Sequence, residues 1–235
     1  MVARQFNFSR LTEFRKENNG IDAMGSSLND DQINAVFSIH LKVLRYLLQG
    51  KSFEWIKDKL WKKFEETSYL NHVIESDMLG FDKHNRLIGA YPISPIESIY
   101  EIEVEGIGSG YAMCAVDALG VAYTFGAKTL ISTVDHKKKK PISIVIDPNV
   151  KTNPKLDLIV SYKRECKGQT SAVDQCPSIN FYLSREDVPR DPSLEILSFH
   201  EALDHARKIF SPEALKARIS GGQNPSLSNC CCKEC

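Results

Sequence analysis

The stretch Gly106–Gly120, GIGSGYAMCAVDALG, decides how the chain reads. It sets Cys114 three residues ahead of Asp117, with a glycine-rich turn before the pair and an apolar run after it. Helical residues three apart share a face. A helix over Ala112–Tyr123 therefore sends a thiol and a carboxylate into one space. Cys114 then falls at or near the helix N-terminus, where unpaired amide N–H groups and the helix dipole favour a thiolate. A thiolate is the form that binds soft metals. On residue types alone the pair reads equally as a buried structural thiol beside a helix cap. GIGSG lies between a strand and a helix, as a dinucleotide loop does. Its spacing is G-x-G-x-G and no second βαβ unit follows, which argues against nucleotide binding.

Outward from this stretch, Ile99–Val104 alternates and reads as a strand, with Tyr100, Ile102 and Val104 on one face and Glu101 and Glu103 on the other. Thr129–Val134 and Ile142–Ile146 are β-branched runs joined by Asp135, His136 and four lysines, a hairpin whose charged turn is a solvated loop. Leu156–Tyr162 and Ile179–Leu183 are further strands. Cys176 lies just before the second of these, between Gln175 and the rigid Pro177. It is the other body cysteine in a fixed context. Two thiolates converging on one ion favour a soft metal of low coordination over zinc, whose structural sites take four ligands. Asp117 beside them would carry a proton. After Pro192 a helix is expected, with Ser198 and Glu201 as a capping box and Phe199, Ala202, Leu203, Ala206, Ile209 and Phe210 as its core face. The His200 and His205 of this helix are five apart, about 140° around the axis, so they do not share a metal as an H-E-x-x-H pair would.

Towards the N-terminus, Asn29 and Gln32 form a capping box for a helix whose apolar residues run from Ile33 to Leu48, and Gly50 ends it. Ser52 caps a second helix with Phe53, Ile56, Leu60 and Phe64 as its stripe. A third covers Tyr69–Leu79, and Asp82–Asn85 is a turn into the strand Leu87–Tyr91. Pro92 and Pro95 mark a linker. Three helices and a hairpin follow the order of a winged helix. The candidate recognition helix, TSYLNHVIESDML, holds no lysine or arginine to meet phosphates, so nucleic acid is not an expected partner.

The fold class expected is α+β: an N-terminal helical, winged-helix-like module followed by a mainly antiparallel β core with flanking helices. The divisions are 1–28, a loosely ordered arm; 29–95, the helical module; 96–219, the catalytic core; and 220–235, a flexible cysteine-rich tail. A formal net charge of zero gives no global attraction to nucleic acid or an acidic membrane. No apolar run reaches 18 residues, and the N-terminus lacks the apolar core of a secretory signal. Of seven cysteines, four (Cys230, Cys231, Cys232 and Cys235) crowd the last six positions, which is not a disulfide framework. A reducing cytoplasm with working thiols fits.

Several segments, in order, resemble the organomercurial (alkylmercury) lyases. YAMCAVDAL at Tyr111–Leu119 is similar to that family's Y-A-W-C-A-L-D-T-L, which puts its first catalytic cysteine on Cys114 and its catalytic aspartate on Asp117. QCPSINFYLS at Gln175–Ser184 resembles the segment with the second catalytic cysteine, here Cys176. FDKHNRLIGAYPIS, PISIVIDP and SFHEAL resemble further family segments between Phe81 and Phe210. The chain departs from the pattern at Asp135, where many members carry a cysteine, and at Pro177 and Ser178, where many carry a cysteine and a histidine. These departures bear on substrate range and stability rather than on the reaction.

The resemblance implies protonolysis of a carbon–mercury bond, giving a hydrocarbon and Hg(II), as part of mercury detoxification. Cys114 and Cys176 take the mercury, and Asp117 takes a thiol proton and delivers it to the carbon. No redox cofactor or catalytic metal is implied, since mercury is the substrate; external thiols or a mercuric reductase would extract the product ion. The tail thiols Cys230, Cys231, Cys232 and Cys235 are candidates for holding that ion and passing it on. The rival reading is a soft-metal binding or delivery protein that uses Cys114 and Cys176 without chemistry.

Overall fold

The computed structural model describes residues 28–60, 69–70, 72–74, 76, 78–82, 84, 86–150, 156–163 and 171–221. Helix α1 (Asp30–Leu48) starts on the expected capping box: the Gln32 amide donates to Asn29 Oδ1 at 2.9 Å and the Asn29 amide to Gln32 Oε1 at 3.0 Å. Its buried face includes Val36, Ile39, Val43, Leu44 and Leu48. Helix α2 (Phe53–Leu60) begins after Ser52, whose hydroxyl accepts from the Trp55 amide at 3.3 Å. Tyr69, Leu70 and His72–Ile74 are helical, but the third helix does not run to Leu79 as expected. Leu79–Phe81 is instead strand β1, paired with β2 (Leu87–Ala90), because Leu79 finds its partner in Ala90 across the turn. Asp82 builds that turn by accepting from the His84 and Arg86 amides at 2.8 and 2.9 Å. Phe64, the arm before Leu28 and the cysteine tail after Gly221 lie outside the described residues.

The Pro92–Pro95 segment, expected to be a linker, carries strand β3 (Ile93–Ser94). It pairs with β2 on one side and with β5 (Gly108–Ala112) on the other. One antiparallel seven-stranded sheet thus runs across residue 95, in the order β1-β2-β3-β5-β4-β6-β7. Its remaining strands are β4 (Glu101–Val104), β6 (Thr129–Val134) and β7 (Pro141–Ile146). The alternation of β4 is as expected, with Ile102 and Val104 buried and Glu101 and Glu103 exposed.

The glycine-rich turn is shorter than expected. Only Glu105, Gly106 and Ile107 turn, and Gly108 already belongs to β5. The glycines serve a close approach instead. A Cβ at Gly108, whose φ is +153°, would collide with the Leu48 carbonyl, and one at Gly110 would lie 3.1 Å from Leu48 Cδ2. The end of α1 therefore rests directly on β5.

Helix α3 (Ala115–Phe125) follows β5 and is buried almost all round, as its apolar sequence requires. It packs on the large sheet and on α5 (Phe199–Phe210). Gly120 permits the second contact, since a Cβ there would collide with the Phe210 ring. Helix α5 has the expected Ser198–Glu201 capping box and the expected six core residues.

A second sheet, β10-β8-β9, is formed by β8 (Ile159–Lys163), β9 (Phe181–Tyr182) and β10 (Leu194–Ser198). β10 replaces the start of the helix expected after Pro192; its five residues pair in register with β8. Helix α6 (Pro212–Ile219), capped by Ser211, was not foreseen. Mixed helices with antiparallel sheets make this an α+β fold. Among the described residues no helix is long and apolar enough to cross a membrane.

Candidate active site

Cys114 is the N-cap of α3, not its first residue. Its backbone is extended (φ −153°, ψ 178°) and its sulfur accepts from the Asp117 amide at 3.4 Å. Asp117, third in the helix, returns the interaction: the Cys114 thiol donates to Asp117 Oδ2 at 3.2 Å. This is a reciprocal cap built on sulfur, in a position that usually holds serine, threonine or aspartate.

Cys176 arrives from 59 residues away and donates to the same Oδ2 at 3.6 Å. It opens a 3-10 turn (Cys176–Ser178) just after the short helix α4 (Ser171–Asp174). The two sulfurs and the carboxylate oxygen lie within 4.8 Å of one another. All three residues are buried, with 1% of Cys114, 4% of Asp117 and 7% of Cys176 exposed.

The turn is held by long-range hydrogen bonds. The Ala115 amide, one of the unpaired donors at the start of α3, gives its proton to the Ile179 carbonyl at 3.1 Å. The Tyr100 hydroxyl lies 2.7 Å from Asn180 Oδ1 and 3.2 Å from the same Ile179 carbonyl. Ser161 on β8 donates to the Ser178 carbonyl at 2.6 Å and accepts from the Asn180 amide at 3.1 Å.

Burial sets the protonation states. It pushes the Asp117 carboxyl up to about 7, against the pull of its two thiol hydrogen bonds and of Arg218 on α6. The Cys114 thiol is raised well above its ordinary value, first by burial and then by Cys176 and Asp117. Desolvation by burial thus opposes the thiolate that the helix N-terminus favours at this position. For Cys176 the hydrogen bond with Cys114 lowers the value, but burial and Asp117 leave it raised. Burial opposes charge on all three groups, and both thiols donate to Asp117 Oδ2. It offers two soft donors and a proton carrier at one point.

Other expectations resolve simply. His200 is exposed, and the His205 ring stands edge-on to Tyr162 at 4.4 Å between centroids. Lys137–Lys140 are exposed, with Lys138 bridging Asp187 at 2.6 Å. Asp135 is fully buried and accepts from the amides of Lys138 and Leu183, tying the β6–β7 turn to the end of β9. Cys230, Cys231, Cys232 and Cys235 lie outside the described residues. Sequence reasoning missed Tyr100, Ser161, Asn180 and Arg218 as supports of the site. The available signal was a polar residue inside or beside an apolar strand run, as Ser161 is in IVSYK and Asn180 is before Phe181.

No curated protein sequence matches the chain. The crystal structure of the mercury-bound form of MerB2 superposes with a TM-score of 0.57 at 15% identity, covering 82% of this chain and 93% of that one. At that identity the likeness shows the fold. The alkylmercury lyase (MerB) family profile matches residues 93–211, just over half of the 235-residue chain and a span that contains Cys114, Asp117 and Cys176. The chain belongs to the alkylmercury lyase family.

Proposed function

We propose that the protein is an organomercurial lyase that cleaves carbon–mercury bonds by protonolysis, with Cys114, Cys176 and Asp117 as its catalytic residues. The observation that carries this reading is the single oxygen, Asp117 Oδ2, that accepts from both thiols. A carboxyl near 7 takes a proton and gives it back at neutral pH. The substrate is an organomercury cation carried by an external thiolate. Cys176, the more exposed of the two sulfurs, meets it first. One cysteine replaces the external thiolate, and its proton leaves on the released thiol. The other passes its proton to Asp117 and joins the mercury. Donation from both sulfurs weakens the mercury–carbon bond, and Asp117 delivers the proton to the carbon. The products are the hydrocarbon and Hg(II) held by two thiolates. Thiols from solution, or a mercuric reductase, then remove the ion, which places the chain in mercury detoxification.

The test is incubation of the pure protein with phenylmercury or methylmercury and excess thiol, measuring benzene or methane. Release that disappears in Cys114→Ala, Cys176→Ala and Asp117→Ala supports the lyase. Tight mercury binding without hydrocarbon would overturn it and leave a soft-metal delivery protein in its place.

A further inference from the structure

Of the three reacting atoms, two ride on α3 and the third does not. Cys176 depends on whatever holds its turn, and several of those bonds meet at one residue, Asn180. Asn180 is 94% buried, being only 6% exposed. Its Nδ2 donates to the Pro177 carbonyl at 3.0 Å, and Pro177 is the residue directly after Cys176. Its Oδ1 accepts from the Tyr100 hydroxyl at 2.7 Å. Its backbone pairs twice with Ser161, donating to Oγ at 3.1 Å and accepting from the amide at 3.0 Å. A carbonyl has no proton to give, so the Pro177 contact fixes which end of the amide faces the turn. Burial holds the Tyr100 hydroxyl protonated, so Tyr100 is the donor to the other end.

We propose that Asn180 is the positioning residue for the second thiol, its side-chain amide linking Tyr100, just ahead of β4, to the Cys176 turn so that Cys176 stays within reach of Cys114 and Asp117. The catalytic consequence rests on the lyase reading; the geometric consequence does not. An aspartate at this position fills the same space and still accepts from Tyr100. As a carboxylate it has no proton for the Pro177 carbonyl, and two oxygens then face each other. The turn moves away and carries Cys176 with it. Displacement of a reacting group by about 1 Å costs on the order of 100-fold in rate.

The experiment compares wild type with Asn180→Asp, Asn180→Ala and Tyr100→Phe in two assays. The first is retention of Hg(II) against excess monothiol, followed by the thiolate-to-mercury charge-transfer absorbance. The second is hydrocarbon release from phenylmercury. The expected result for Asn180→Asp is retention weakened about tenfold or more, and kcat lowered about 10- to 100-fold with KM changed less than about threefold, since either thiol alone still captures mercury. Tyr100→Phe, which deletes one hydroxyl, gives the same pattern at smaller size and serves if the Asn180 variants do not fold. Wild-type retention and kcat in folded variants, even with a lowered melting temperature, would overturn the proposal. A wild type that holds Hg(II) on two thiolates but releases no hydrocarbon would sink the lyase reading alone, and the retention assay would still judge Asn180.

Discussion

Cys114 and Cys176 donate to the same carboxylate oxygen but belong to different kinds of structure. Cys114 is set by its neighbours: β5 ends, α3 begins, and the residue at the junction caps the helix while the third helical residue reaches back to it. Cys176 is set from a distance, by Tyr100 just ahead of β4, Ser161 on β8 and the first amide of α3. The first half of the site is a local motif that forms whenever the helix forms. The second half exists only once both sheets are assembled. A site divided in this way has a rigid member that keeps the proton carrier beside one sulfur. It has a second member whose approach is adjusted by residues far from either.

The comparison breaks hardest at Asp117, on which both thiols depend. Asp117→Asn should lower hydrocarbon release by about 10²–10⁴-fold, the usual range for a lost general acid–base. The same change should stabilise the fold. The folded carboxyl ionises near 7 against 3.8 for an ordinary aspartate, so the folded state binds the proton more tightly. Below about pH 4 both states are protonated and the group makes no difference. As pH rises from about 4 to about 7 the unfolded state ionises first and stability is lost, reaching a deficit on the order of 4 kcal/mol above pH 7. Denaturant unfolding at pH 8 should therefore favour Asp117→Asn, and at pH 4 the two proteins should match. An equal gap at both pH values would refute the burial argument.

Gly120→Ala tests the local half. Its methyl group would meet the Phe210 ring, so α3 must move away from α5 at a cost of about 1–3 kcal/mol. Denaturant midpoints measure that cost directly. An unchanged midpoint would mean that the two helices are not held as closely as the structure shows. The smallest effect expected is kinetic. Cys176 is more exposed than Cys114, so iodoacetamide should modify Cys176 first. Peptide mapping of partly alkylated protein reads the order, and faster modification of Cys114 would reverse the assignment of the first mercury contact.

The local half was also the legible half. Asn29 with Gln32, Ser198 with Glu201, the alternation of β4 and the three-residue step from Cys114 to Asp117 all act within a turn or a strand. Their physics is contained in a few adjacent residues. What was missed required the assembled molecule. Ile93 and Ser94 look like part of a proline-flanked linker until β2 and β5 stand on either side. Leu194–Ser198 is a strand because β8 offers it a partner, not because its own pattern demands one. The electrostatics of Cys114 divide in the same way: the helix end is visible in sequence, whereas the burial that opposes it is not. Cys176 stands out through Pro177 and the family resemblance, whereas Asn180 shows in sequence only as a polar residue beside an apolar run, and its bonds to Tyr100 and Pro177 need the assembled fold.

The glycines of β5 carry a consequence for where this enzyme family's working unit begins. The family profile starts at residue 93, yet Leu48 of α1 lies against the bare backbone of Gly108 and Gly110, a few residues ahead of Cys114. Neither glycine has a side chain with which to shield itself. A fragment that kept only the matching half would open that strip of main chain to water, on the strand that leads into Cys114. The N-terminal helix is in this sense a cover for the strand that leads into Cys114, supplied by a part of the chain that the profile does not recognise.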